Sequence, residues 1–237
     1  MKRESLATPW RASFASTRVN ANIRLAIDAF RRAGISLPPF AFWGVEEGQH
    51  KGSEVDEIRH CALGWDVTDF GSGDFDRIGR TLFTLRNGSL RHPQYAKSYA
   101  EKLILDPEVQ RAPAHFHRSK MEEIINRSGG NIMVQLTKAS STDSWSEQEF
   151  AVQVDGETVN AKPGLTVRLK PGQSLCIPPR TIHQFWGEEG TGLTVSSEVS
   201  SLCDDESDNY FLIPSVRYPA IEEDEAREFY LCYEYPH

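Results

Sequence analysis

Ala114-His115-Phe116-His117-Arg118-Ser119-Lys120-Met121-Glu122-Glu123 decides how this chain is read. Alternate side chains of a β-strand share a face, so His115 and His117 point the same way if the segment is extended. Two imidazoles on one face can hold one cation. Glu122, five residues after His117, adds a hard oxygen donor. The following stretch, Glu123 to Gly130, reads as a strand end and a turn. A fourth ligand has to come from far along the chain. His183 is the candidate, in Pro171-Gly172-Gln173-Ser174-Leu175-Cys176-Ile177-Pro178-Pro179-Arg180-Thr181-Ile182-His183-Gln184-Phe185-Trp186. His-x-His alone also suits a polar strand face, and a single His is more often structural than ligating. Four ligand types in two blocks favour a metal.

The two blocks resemble the paired motifs of the cupin superfamily. His115, His117, Glu122 and Gly129 fit the intervals of the first motif, and Gly172, Pro178 and His183 those of the second. Three positions depart from it: Val109 takes the place of the leading Gly, Arg180 that of a second-motif Gly, and Gly187 that of the closing Asn.

At 237 residues the chain is long enough for one large domain with a substantial core. A formal net charge of -8 argues against nucleic-acid or anionic-membrane binding, and no apolar run approaches a membrane span. Cys61, Cys176, Cys203 and Cys232 form no CxxC pair, which suits reduced thiols in the cytoplasm.

Taken in order, residues 1–18 read as a flexible extension. Val19, Ile23, Ala26, Ile27 and Phe30 recur at helical spacing up to Gly34. Leu37 to Trp43 is apolar and reads as extended because of its prolines. Gly44 to Ile58 reads as loop. Strands are expected at Leu63–Phe70, Phe75–Leu85 (ending in an Asn87-Gly88 hairpin), Tyr95–Ile104, 131–136, Phe150–Val154 with Thr158-Val159, Leu165–Leu169, Gly192–Val199 and Phe229–Tyr235. Asp204 to Asn209 reads as an acidic, solvated loop. Many short strands with close turns predict a mainly β jelly-roll barrel, the double-stranded β-helix of cupins, with an N-terminal helical extension. A single domain over 19–237, its barrel core at about 90–237, is expected. The N-terminal helix and the Leu37–Trp43 segment exceed what a small barrel needs, which predicts a homodimer.

The cupin motif alone specifies no reaction. Its flanks narrow the choice: Leu37–Trp43, Lys120–Arg127, Pro178-Pro179, His183–Trp186 and Glu198-Val199-Ser200, with Asp204-Asp205, Asp208-Asn209, Arg217-Tyr218-Pro219 and Glu222–Glu225. Over about Asn20 to Pro236 they resemble the D-lyxose isomerase family of cupin sugar ketol-isomerases. The resemblance implies one divalent metal per chain, usually Mn2+, held by His115, His117, Glu122 and His183. By ligand chemistry Fe2+, Co2+ or Zn2+ also suits that set. It implies a monosaccharide substrate, with D-lyxose and D-xylulose, and D-mannose and D-fructose, interconverted through an enediol. Lys120 is placed at the sugar, for oxygen binding or proton relay. Glu198, an acid in an apolar strand, is a candidate base or substrate-binding group, with a buried ion pair to Arg217 as the alternative. Asp205 and Arg217 are candidates for the sugar hydroxyls. The chain departs from the family at Ser128 (usually Gly), Tyr210 (often Arg) and Ile213, where relatives often carry a Glu. An iron-dependent cupin oxygenase and a non-catalytic sugar-binding cupin remain as alternatives.

Overall fold

The computed structural model describes residues 14–205 and 207–236. Among the described residues, three α-helices precede the sheets: α1 (Ser16–Arg32), α2 (Val45–Gln49) and α3 (Asp56–His60). Thirteen strands follow: β1 (Gly64–Thr68), β2 (Arg80–Arg86), β3 (Tyr99–Asp106), β4 (His115–His117), β5 (Glu122–Gly129), β6 (Ile132–Lys138), β7 (Phe150–Val154), β8 (Glu157–Ala161), β9 (Leu165–Leu169), β10 (Ser174–Ile177), β11 (Thr181–Gly187), β12 (Thr194–Ser201) and β13 (Asn209–Phe211).

The strands form two antiparallel sheets, ordered β1-β2-β3-β12-β5-β10-β7-β8 and β13-β4-β11-β6-β9. Their facing sides enclose a core that includes Ile124, Ile132, Val134, Leu136, Val152, Leu169 and Leu175. This is the expected mainly β jelly roll. The sheets draw on chain before residue 90, since β1 and β2 extend the larger one.

The helical spacing of Val19, Ile23, Ala26 and Phe30 has a plain outcome: all four are fully buried against that sheet, with Trp65, Phe83 and Leu105 beneath. At its start Asp224, from the far end of the chain, accepts hydrogen bonds from Thr17 N, Thr17 Oγ1 and Ser16 Oγ. At its end Gly34 takes φ +73°, and Ile35 N reaches back to Phe30 O at 2.9 Å. Residues 14–18 are thus ordered, contrary to expectation, while residues 1–13 of the expected extension lie outside the described residues.

Several local expectations are corrected. Leu37–Trp43 is not a strand; Pro39 opens a 3-10 turn over Pro39–Phe42, where its missing N–H costs nothing. Residues 44–58 hold α2, most of α3 and a 3-10 turn rather than loop. The second strand starts only at Arg80, and Asn87-Gly88 opens a long connection to β3 rather than a tight hairpin. Gly88 is needed there for close approach, since a Cβ would meet Lys97 O at 1.9 Å. The stretch read as a strand end and turn is strand up to Gly129, since β5 spans Glu122–Gly129 with a bulge opposite Val195 and Ser196. Phe229–Tyr235 makes only isolated bridges among the described residues, Gly44 to Phe229 and Trp65 to Leu231. Asp155-Gly156 is a tight hairpin as expected, both residues at positive φ.

Candidate active site

β4 and β11 pair so that His115 lies directly opposite His183, and β13 flanks β4 with Asn209 opposite His117. The three imidazoles therefore gather on one inner face, their candidate ligand nitrogens all within 4.8 Å of one another. Glu122 opens β5 in the facing sheet, paired with Ser200 and Ile177. It approaches from across the barrel: its Oε1 lies 2.8 Å from His183 Nε2 and its Oε2 3.2 Å from His117 Nε2.

These atoms fit a divalent ion. His117 Nε2, His183 Nε2 and Glu122 Oε1 are buried and lack a hydrogen-bond partner among the described residues. Left unmet, each would carry a desolvation penalty of about 1–3 kcal/mol. His115 Nδ1 and His183 Nδ1 lie 2.8 and 2.9 Å from the carbonyls of Pro113 and Thr181. Donating there leaves Nε2 of each ring with its lone pair for a ligand. Burial, then the neighbouring imidazoles, holds His115 well below the usual histidine range, and burial with Lys120 lowers His117. Both are neutral near pH 7, as metal ligation requires.

The three motif departures have structural answers. Val109 and Arg180 stand where glycines were expected, yet both keep positive φ, +60° and +58°. Arg180 N donates to His117 O at 2.8 Å, so this strained residue fixes one candidate ligand's backbone. At Gly187, a Cβ would fall 2.8 Å from Asp106 O and 2.9 Å from Pro107 O, leaving no room for a larger residue.

Lys120 follows the end of β4, so strand alternation does not apply to it. Its turn is held by Asp208, which accepts from Ser119 N, Ser119 Oγ and Lys120 N. Lys120 Nζ then reaches 2.7 Å from both Glu122 Oε2 and Glu198 Oε1, almost fully buried. Burial alone would strip its proton, but the two carboxylates outweigh it and keep the ammonium charged. That attraction lowers Glu122 despite its burial, and Lys102 with Lys120 does the same for Glu198.

The Glu198–Arg217 pair, the alternative for Glu198, does not form. Glu198 pairs with Lys120 and faces Lys102 at 3.5 Å, whereas Arg217 binds Asp66 and lies 3.3 Å from Asp205. All of these except Asp66 line one cavity, together with the three histidines, Glu122, Arg80, Asn209 and apolar Phe70, Leu82, Ile104, Phe185 and Phe211. Within the acidic loop, Asp205 and Asp208 turn inward rather than to solvent, against expectation. Ile213 is 58% exposed and does not line this cavity.

Sequence reasoning missed Lys102, Asp66 and Arg80. Lys102 shared a strand face with Ile104 and Asp106, and a lysine on such a face was the available signal. Arg80 lines the cavity, donates to Asp106 at 2.6 Å and stacks on Phe185 at 4.1 Å.

The family model for D-lyxose isomerase matches residues 15–235. A D-lyxose/D-mannose isomerase of Serratia proteamaculans is 44% identical over 92% of this chain and 96% of its own length. One of Escherichia coli O157:H7 is 44% identical over 87% and 91%. Among solved structures, a ligand-free L-ribose isomerase of Cellulomonas parahominis superposes with TM-score 0.59 at 16% identity, covering 87% of this chain and 95% of that one. An L-ribose isomerase of Acinetobacter sp. DL28 gives 0.56 at 14%, over 86% and 94%. At such identities these two attest the cupin-like fold alone. The match along nearly the whole chain settles the family: this protein belongs to the D-lyxose isomerase family of sugar ketol-isomerases.

Proposed function

We propose that the chain interconverts D-lyxose and D-xylulose, and D-mannose and D-fructose, as a metal-dependent aldose–ketose isomerase. The relatives' names, D-lyxose/D-mannose isomerase, support the two aldoses. The observation that carries the chemistry is Lys120, an ammonium shared between Glu122 beside the histidines and Glu198 beyond it. His115, His117, Glu122 and His183 would hold the ion, with Mn2+ suited to three nitrogens and one carboxylate. When bound, it supplies Lewis-acid polarisation of the substrate carbonyl.

Glu198 is the base of the proposal. Held ionised by Lys102 and Lys120, it takes the C2 proton of the open-chain aldose; the C–H electrons form the C1–C2 double bond as the C1–O1 π pair moves onto O1, giving an enediolate. The conjugate acid then returns the proton to C1, while the hydroxyl proton passes from O2 to O1. Lys120 stays an ammonium, so it serves as a hydrogen-bond donor to the sugar oxygens rather than as a base. Asp205 and Arg217 anchor hydroxyls further along the chain. The barrel walls, Phe70, Phe185 and Phe211 among them, keep bulk water from the reacting carbons.

The test is turnover of D-lyxose in heavy water with Mn2+ supplied. Deuterium at C2 of recovered lyxose or C1 of xylulose is expected. Turnover with no exchange would refute proton transfer through an exchangeable base, and no turnover of any aldose would refute the isomerase reading. A homodimer is part of the proposal, although the apolar face of α1 that motivated it is buried within the chain and leaves Leu25 as the exposed large apolar residue of that helix. A monomer mass by light scattering at micromolar concentration would refute it.

A further inference from the structure

Asp143 lies in the loop between β6 and β7, itself at φ +58°. Its carboxylate joins two arginines. Oδ1 accepts from Arg180 at 2.9 Å, and Oδ2 lies 3.1 Å from Arg118. The same Arg180 nitrogen donates to Ser140 O at 2.6 Å, at the start of that loop. The hydrogen bond from Arg180, before that from Arg118, holds the Asp143 carboxyl below the usual carboxylate range. Both guanidinium carbons also lie against the Phe116 ring, 5.2 Å from its centre for Arg180 and 5.9 Å for Arg118.

Both arginines are tied to the backbone of His117. Arg118 follows it in the chain. Arg180 donates its backbone N–H to His117 O at 2.8 Å, and its own carbonyl accepts from Ala139 N at 2.9 Å. Phe116 alternates with the two histidines along β4 and so faces away from the cavity, which neither Asp143 nor Arg180 lines. The carboxylate therefore grips the ligand strand from its far side. What this grip opposes is the backbone of residue 180. At φ +58° a residue with a Cβ is disfavoured by roughly five- to thirtyfold, and a glycine is not. Relaxing out of that conformation would swing the N–H of residue 180 off His117 O. The side chains of Asp143, Arg180 and Arg118 are 23%, 34% and 47% exposed, so their pairing adds little to global stability. A small energy suffices where the strain it offsets is itself small.

Resting on the metal site proposed above, we infer that Asp143 is a positioning residue for the ion. By anchoring the Arg180 side chain it keeps residue 180 left-handed, and through the N–H of that residue it fixes the backbone that carries His117. Arg118 holds the other carboxylate oxygen and so aims the first at Arg180.

A rescue experiment tests this. Asp143→Gly removes the carboxylate and leaves φ +58° open to the loop. Arg180→Gly removes the strain that the anchor offsets, and a double variant combines the two. Each protein is titrated with Mn2+ in competition with a chelator, and the visible bands of bound Co2+ report ligand geometry, with Tm recorded. Asp143→Gly should raise the Kd for Mn2+ roughly five- to thirtyfold and shift the Co2+ bands. Arg180→Gly should stay within about threefold of the wild type, and the double variant should return to that range with the wild-type bands. A rise under about threefold in Asp143→Gly overturns the inference. So does a double variant as weak as Asp143→Gly, because a merely structural role for the loop gains nothing from glycine at 180. If the wild type takes up neither ion, the metal reading fails separately, and the anchor is read from the imidazole NMR resonances of His117. Displacement in Asp143→Gly with recovery in the double variant is then expected, and unchanged resonances would overturn the role of Asp143 as well.

Discussion

Replacing Lys120 by Met removes the charge that holds two buried carboxylates together. Lys120 and Glu122 side chains are each 2% exposed and Glu198 8%, with both contacts at 2.7 Å. Methionine fills much the same space, so the loss is electrostatic rather than a cavity. Removing one partner of a buried pair costs about 3–5 kcal/mol, because the other charge is left uncompensated. Lys102 remains, but at 3.5 Å from Glu198 it offsets only part of this. For a chain of this size each kcal/mol moves Tm by about 2–4 °C, so the chelated variant should melt roughly 6–20 °C lower. The deficit carries a pH signature. Both carboxyls are lowered from the usual 4.5 in the folded protein, so their contribution is complete above that pH and is lost as pH falls below it. The gap between wild type and variant should therefore close in acid. A divalent ion beside Glu122 would supply the missing positive charge, so saturation with Mn2+ should narrow the gap at pH 7 as well. The assay is scanning calorimetry of both proteins, chelated and Mn2+-saturated. A Tm loss under about 2 °C in the chelated variant at pH 7 would refute Lys120 as the counter-charge of these carboxylates.

Three further outcomes are expected. His183→Ala removes an Nε2 opposite His115 and should lower bound divalent metal per chain, read by elemental analysis, while circular dichroism keeps the β signature; full occupancy would remove His183 from the ligand set. The chelated wild type should lose stability as pH falls through about 6.5, because burial lowers His115 and His117 in the folded state and the unfolded chain then binds more protons; a flat Tm between pH 7.5 and 5.5 would contradict their neutral burial. Val109→Gly relieves a β-branched residue at φ +60°, and should raise Tm by a few degrees, since the relief of about 1–2 kcal/mol exceeds the added chain entropy; a lower Tm would show the strain is absent.

How much could be read from the sequence follows from how far each signal reaches. His115 and His117 were legible because strand alternation is local, and β4 needs only three residues to express it. Glu122 and His183 were legible only through motif spacing, since nothing local says that β5 and β11 face one another. The misreadings lie where a local signal competes with a tertiary one. Ser128-Gly129-Gly130 looks like a turn, yet β5 continues into it, bulging at Arg127 to stay paired with β12. Phe229–Tyr235 has strand composition, yet it meets the free edge of β1 only through the single bridge at Trp65. Asp204–Asp208 looks solvated by charge, yet Lys102, Arg217 and the backbone at Ser119 and Lys120 draw two of its carboxylates inward.

Ile213 shows the same limit from the other side. Relatives often carry a Glu there, but the side chain is 58% exposed and outside the cavity. The buried acid is Glu198, and its state is set by lysines 78 and 96 residues away in the chain, each from a different part of the barrel: Lys120 from the turn before β5 and Lys102 from β3. A sequence shows that a carboxylate sits in an apolar strand. Which cations meet it depends on the order of strands in the sheet, β3-β12-β5. That order brings Lys102 and Glu198 into register and leaves Lys120 free to reach both acids, so the charge pattern of the site is a property of topology rather than of any motif.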